Sequence, residues 1–252
     1  MMKSLMIALA MYSKIPVPKV EWTEDGMKYA LCFFPAVGVV EGLIFVGVWY
    51  LLHLLEFGAV FQAAVLTALP VLITGGIHVD GFLDTMDALS SWQPRERKLE
   101  ILKDSHTGAF AIIGGILYFL LYAGGISEIQ NMQTAVLTGL GFVLSRILSA
   151  GSLSVLKSAK KDGLAYTFMS GAHISRTRMA LVLEALAVVG AMICLNPLVA
   201  GMMVALAAAS WIYYWKMSYQ QFGGITGDLA GFFLQVCELM MLYGAVIAGK
   251  VV

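Results

Sequence analysis

Charge is scarce in this sequence: of 252 residues only 13% are Asp, Glu, Lys or Arg, while 60% are hydrophobic. Soluble globular domains carry roughly 25% charged residues, so this composition excludes an ordinary water-soluble globule. Neither sign is in excess, since 16 basic residues stand against 16 acidic ones. No nucleic-acid-binding surface and no field for an acidic ligand follow from those totals. Cysteine is nearly absent, and Cys32, Cys194 and Cys237 lie far apart inside apolar runs. That excludes a disulfide framework and a thiolate metal site, and leaves the three as small packing residues. The sequence has no internal repeat at a period of about 20–50 residues either, which excludes a solenoid.

Long apolar runs are what the sequence does have. A helix crossing a hydrocarbon core about 30 Å thick needs roughly 20 apolar residues. Windows near 29–53, 57–77, 108–127, 133–155, 179–195, 197–215 and 229–249 meet that requirement. The fifth and sixth are separated by Asn196-Pro197, where proline ends one helix and starts the next. The predicted fold is an all-α polytopic bundle of about seven transmembrane helices, a single domain over 1–252. Placing the amino terminus inside the cell puts 14 of the 16 basic residues on the cytoplasmic side, from Lys3 to Lys216. Arg146 then falls within a span, Lys250 at the far end, and the opposite loops near 54–56, 128–132 and 196 hold no Lys or Arg, as the positive-inside rule requires. Residues 1–20 read as a short interfacial or re-entrant helix ended by Ile15-Pro16-Val17-Pro18, although Lys3 and Ala8-Leu9-Ala10 also fit a cleaved leader. Gly38 and Gly42, and the glycines at 114, 115, 124 and 125, predict close helix packing.

After the second span comes Gly75-Gly76-Ile77-His78-Val79-Asp80-Gly81-Phe82-Leu83-Asp84-Thr85-Met86-Asp87. On a helix Asp80, Asp84 and Asp87 point within about 60° of one another. Three aspartates facing lipid would cost about 8–10 kcal/mol, so the stripe must face water, cations or protein. Hard oxygen ligands one and two turns apart suit Mg²⁺ or Mn²⁺, ions that also bind substrate phosphates, which predicts a divalent-metal, phosphate-handling site. His78 lies off that stripe and reads as a hydrogen-bonded interface histidine. Most charges between Arg95 and Lys103 read as a solvated face. Lys103 and Asp104 add a cation and another carboxylate at the same surface, although Asp104 also suits a helix cap together with Ser105. Gly223-Gly224-Ile225-Thr226-Gly227-Asp228 enters the last span, and its glycines permit the close backbone approach of a phosphate-cradling turn. Arg146 needs a buried partner, either a carboxylate or a substrate phosphate, and Glu41, Glu184 and Glu238 pose the same question. The stretch from Lys157 to Arg178, with Gly163, Thr167, Ser170, Gly171 and His173, reads as a cytoplasmic loop for anionic lipid or substrate, or for topology alone.

These motifs in this order, together with Phe34-Pro35-Ala36-Val37-Gly38 and Lys103-Asp104-Ser105-His106-Thr107-Gly108, resemble the cobalamin synthase family, the adenosylcobinamide-GDP ribazoletransferases, over essentially the whole chain. His106 and the run from Ala88 to Trp92 depart from the family pattern. The resemblance implies a multi-pass enzyme of a prokaryotic cell membrane, working on the cytoplasmic side. It joins adenosylcobinamide-GDP to α-ribazole or its 5′-phosphate with release of GMP, and depends on Mg²⁺. On that footing Asp80, Asp84 and Asp87 are metal ligands, one of them a general base. Asp104 and Asp228 complete the cluster, Lys103 and Arg146 hold phosphate oxygens, and Gly223 and Gly224 approach the substrate. The implied partners are the two substrates and the bilayer, with a homo-oligomer left open and no nucleic acid. Two rival readings are a CDP-alcohol phosphotransferase, whose Asp-Gly-x-x-Ala-Arg element is missing at Asp84-Thr85, and a transporter using Arg146, Glu184 and Glu238.

Overall fold

The computed structural model describes residues 1–27, 29–159 and 174–251. Gly163, Thr167, Ser170, Gly171 and His173, expected in a cytoplasmic loop, lie outside the described residues. The helices are α1 (Met2–Tyr12), α2 (Glu24–Met27), α3 (Phe34–Leu54, entered by a 3₁₀ turn at Ala30–Phe33), α4 (Ala59–Thr74), α5 (Ile77–Ser90), α6 (Arg95–Ile101), α7 (Ala109–Ser127), α8 (Met132–Val155), α9 (Ile174–Leu195), α10 (Pro197–Phe222) and α11 (Gly227–Gly249). Among the described residues there is no strand beyond one isolated parallel bridge, Ser158 with Ile225. The all-α polytopic bundle is therefore observed as expected. Six helices are long and apolar enough to cross a membrane, and α4 with α5 makes a seventh only as a bent pair.

That bent pair is the main departure from the expected spans. The 57–77 window predicted one straight crossing, but Gly75 and Gly76 both take positive φ, 68° and 79°, and α5 leaves the direction of α4 by 96°. Two consecutive left-handed residues are accessible to glycine at almost no cost, and they end the helix. The 16 residues of α4 still rise about 24 Å alongside α3 and α7. Beyond the break, α5 packs against the first turns of α11 and the first half of α7. Two other boundaries also moved. The fifth helix begins at Ile174 instead of near 179, and the sixth runs to Phe222 instead of 215. Hydropathy marks where a helix leaves hydrocarbon, whereas the backbone of α10 stops at Gly223, at φ 72°.

Helices α8 and α11 form the enclosed centre, and α9 is the most exposed of the long helices. The Gly38/Gly42 face works as predicted: a Cβ on Gly42 would stand 2.6 Å from the carbonyl oxygen of Gly139, so α3 and α8 cross backbone to backbone. At 11 residues, α1 is too short to span a bilayer. It packs on α3 and on the 3₁₀ turn, with Ile7 and Ala8 fully buried. The extended segment that follows is tied down where Lys14 N–H donates to the Ile73 carbonyl at 2.7 Å.

Candidate active site at one end of the bundle

The carboxyl ends of α4, α8 and α10 and the amino ends of α7 and α11 meet at one end of the bundle, and α5 lies among them. What lets α5 approach α11 is the absence of side chains at the crossing. A Cβ on Gly81 would stand 2.8 Å from the carbonyl oxygen of Asp228, and one on Gly231 would stand 3.0 Å from that of His78. Phe82 and Phe232 stack beside the crossing, with centroids 5.5 Å apart. Segments some 150 residues apart thus bring Asp80 and Asp228 to one cavity of about 350 Å³. Lys103 lines it from the α6–α7 connection and Ser149 from α8. Thr226 caps α11 by accepting from Leu229 N–H at 3.2 Å, and its hydroxyl lies 3.4 Å from Asp228 Oδ2.

Asp84 stands behind Asp80 on α5. Its own burial, followed by the charges of Asp80, Asp228 and Asp87, raises its carboxyl to about 6. Asp80, Asp84, Asp87 and Asp228 thus stand close enough to repel one another, and of the four Asp80 and Asp228 line the cavity. Asp87, expected as a third metal ligand, does not line the cavity. Its carboxylate accepts from Gly108 N–H at 2.5 Å and Ala111 N–H at 3.1 Å, capping the amino end of α7. A Cβ on Gly108 would collide with that carboxylate, which explains the glycine ending the Lys103–Gly108 motif.

Several residues expected at the site stand elsewhere. Asp104 neither joins the carboxylates nor caps α7. Half exposed, it accepts from His106 N–H at 3.0 Å and meets His106 Nδ1 at 2.7 Å, and those bonds, the ring first, hold its carboxyl below the usual range. Arg146, 1% exposed, meets protein carboxylates and no cavity: Nη2 lies 2.5 Å from Glu41 Oε2 and Nη1 lies 2.8 Å from Glu238 Oε1. Gly223 and Gly224 do not line the cavity either. The first ends α10 under the guanidinium of Arg95, where any side chain would collide. The second lets Ile225 pair with the 157–159 backbone, Ile225 N–H donating to the Lys157 carbonyl at 2.9 Å. The charges of α6 do form a solvated face at Arg95, Glu96, Arg97 and Glu100; Lys98 is the exception, buried with its Nζ donating to Gln221 Oε1 at 2.5 Å.

Sequence reasoning passed over Tyr12 and Phe34 and discounted His78, yet all three line the cavity. The available signal was aromatic residues at the inner ends of α1 and α3, level with His78.

Among the described residues no three His, Cys, Asp or Glu side chains are arranged as a ready-made metal cage. Mg²⁺ does not require one, because it binds through one or two carboxylates together with waters and substrate phosphates. Mutually repelling hard oxygen donors beside a cavity fit such an ion, with Asp80 and Asp228 on the wall and Asp84 behind.

A family model described as cobalamin-5-phosphate synthase matches residues 4–246. The chain belongs to this family. An adenosylcobinamide-GDP ribazoletransferase of Lachnoclostridium phytofermentans is 47% identical over 253 residues, covering 100% of this chain and 96% of the relative. Proteins of the same name from Clostridium botulinum strain Alaska E43 and Desulfitobacterium hafniense Y51 are 34% and 31% identical, over 96% and 97% of this chain and 96% of each relative. No solved structure matches. Membership in the cobalamin-5-phosphate synthase family agrees with the motif argument against a CDP-alcohol phosphotransferase, and the Glu41 and Glu238 carboxylates account for Arg146 without a transport pathway.

Proposed function

We propose that the protein joins adenosylcobinamide-GDP to α-ribazole, or to its 5′-phosphate, releasing GMP, with Mg²⁺ as cofactor and the active site on the cytoplasmic face of a cell membrane. The observation that supports this best is the convergence of Asp80 and Asp228, with Asp84 beside them, at a cavity that Lys103 also lines. When bound, the ion neutralises charge on the diphosphate. Asp80 and Asp228 would hold it, with Asp84 adding negative charge behind them. The ammonium of Lys103 draws a phosphate oxygen to the cavity and favours the charge that develops as the bond to GMP breaks. The acceptor hydroxyl oxygen of ribazole bonds to the phosphorus carrying cobinamide, the bond from that phosphorus to the oxygen of GMP breaks, and the hydroxyl proton passes to Asp80 or Asp228. The cytoplasmic orientation is supported by the sidedness of Lys and Arg, 14 of which flank this end of the bundle in the sequence.

The decisive assay uses purified protein in lipid with both substrates and follows GMP. Turnover is expected only when adenosylcobinamide-GDP, a ribazole and Mg²⁺ are all present. Turnover undiminished by a chelator would remove the metal from this reading, and no GMP under any condition would remove the reaction.

A further inference from the structure

Part of the cavity wall is aromatic. Tyr12 from the end of α1, Phe34 from the start of α3 and His78 from the first turn of α5 form a triangle of rings. Tyr12 and Phe34 centroids are 4.3 Å apart, Phe34 and His78 5.7 Å, and Tyr12 and His78 6.2 Å with planes 19° apart. Met11 and Ile77 extend the same apolar wall. His78 is 6% exposed, and its Nε2 has no hydrogen-bond partner among the described residues. A buried ring nitrogen without a partner costs on the order of 1–3 kcal/mol, and a native site carries that cost where a ligand completes the bond.

Resting on the transferase reading above, we propose that Tyr12, Phe34 and His78 are the specificity wall for the base of the riboside acceptor. The two phenyl-type rings pack against a flat fused base, and His78 Nε2–H donates to the base's one unsubstituted ring nitrogen. Three features favour this occupant over the guanine of the other substrate. Guanine carries donors and acceptors around its edge, and a wall whose polar atoms are His78 Nε2 and the Tyr12 hydroxyl would leave most of them buried and unpaired. A benzimidazole riboside has one free ring nitrogen and an otherwise apolar base, which matches one Nε2 among aromatic and aliphatic side chains. Size agrees as well: about 350 Å³ is at the lower end of ligand cavities, enough for a nucleoside and too little for a corrin macrocycle. The base then lies at the apolar wall while its ribose reaches Asp80, Lys103 and Asp228, so the aromatic wall sets which hydroxyl meets the diphosphate.

The test compares two acceptors that differ in the ring nitrogen, a benzimidazolyl α-riboside and a phenolyl α-riboside, each with adenosylcobinamide-GDP and Mg²⁺. Wild-type protein is expected to prefer the benzimidazolyl riboside in kcat/KM. His78→Phe is expected to lower that preference about tenfold, the worth of one buried hydrogen bond, and His78→Gln, which keeps a donor, to restore part of it. Phe34→Leu and Tyr12→Leu are expected to raise KM for both ribosides and leave KM for adenosylcobinamide-GDP within about twofold, since each removes aromatic stacking only. Calorimetric titration of α-ribazole alone, without turnover, should show the same loss of affinity in His78→Phe. A wild-type protein that releases GMP, with a His78→Phe variant that slows both ribosides equally or raises KM for adenosylcobinamide-GDP, overturns the wall assignment and leaves the transferase reading intact. No GMP from the wild type with either riboside overturns the transferase reading itself.

Discussion

At Asp84 the environment works against the charged form. Its carboxyl stands at about 6 because it is partly buried and because Asp80, Asp228 and Asp87 are all negative. An unfolded aspartate titrates near 3.9, so the folded state binds this proton more tightly. That tighter binding favours folding below about pH 4 and becomes a full penalty once pH has passed about 6. Asp84→Asn is therefore expected to raise the thermal unfolding midpoint at pH 7.5 and to leave it unchanged near pH 4. The same substitution should lower kcat by roughly 10²- to 10³-fold, the usual size of a lost charge at a phosphoryl-transfer site. A divalent ion relieves the repulsion, so Mg²⁺ should raise the midpoint at pH 7.5, where Asp84 is ionised, and much less at pH 5. Asp80→Asn should abolish the Mg²⁺ effect. Differential scanning fluorimetry in detergent measures the three midpoint effects, and GMP release measures the change in kcat.

At the scale of elements, the site depends on one crossing and one cap. Gly81 lets the backbone of α5 touch that of α11, and Gly81→Ala would place a methyl 2.8 Å from the Asp228 carbonyl oxygen. The helices must separate, which costs about 1–3 kcal/mol as overpacking does. Because Asp80 and Asp228 move apart with them, turnover should fall further than the unfolding midpoint alone would explain. Asp87 makes the opposite case. Asp87→Ala removes both acceptors at the amino end of α7 and should cost about 0.5–2 kcal/mol of stability. Asp87→Asn keeps one acceptor oxygen and should recover part of it, with Mg²⁺ affinity nearly unchanged in both. Chemical unfolding and Mg²⁺ titration would separate cap from ligand. These two elements also show what a linear pattern can reveal. The aspartate stripe was legible because spacing of i, i+4, i+7 fixes direction on a helix before any tertiary contact forms. That Asp87 turns toward Gly108 was not legible, since the amino end of α7 reaches it only through packing. The bend at Gly75-Gly76 was written in the sequence as two glycines, but hydropathy averages across such a break.

Across the whole molecule, six of the seven expected long apolar helices were legible because membrane insertion acts on composition, which needs no partner. The partner of Arg146 was left open between carboxylate and phosphate, because α3 and α11, which supply Glu41 and Glu238, are distant in sequence and adjacent only in the bundle. The resulting triad ties α3, α8 and α11 together. Ser145 also donates to Glu238 at 2.8 Å, and Arg146 Nη1 to the Phe142 carbonyl at 2.9 Å. One guanidinium between two carboxylates leaves one surplus negative charge when all three are ionised. Removing either type of partner is therefore not equivalent. Arg146→Met strands two buried carboxylates and is expected to cost about 3–5 kcal/mol, seen as a large fall in unfolding midpoint. Glu41→Gln removes only the surplus charge and should leave the midpoint near that of the wild type. The triple variant Arg146→Met, Glu41→Gln, Glu238→Gln should recover most of what Arg146→Met alone loses, because these three side chains act as a unit and their effects do not add. If Arg146 instead held a substrate phosphate, Arg146→Met would fold normally and raise KM, and neutralising the two glutamates would not help it. Thermal unfolding of the four proteins, with KM measured on those that fold, distinguishes a structural clamp at the centre of the bundle from a ligand of the diphosphate.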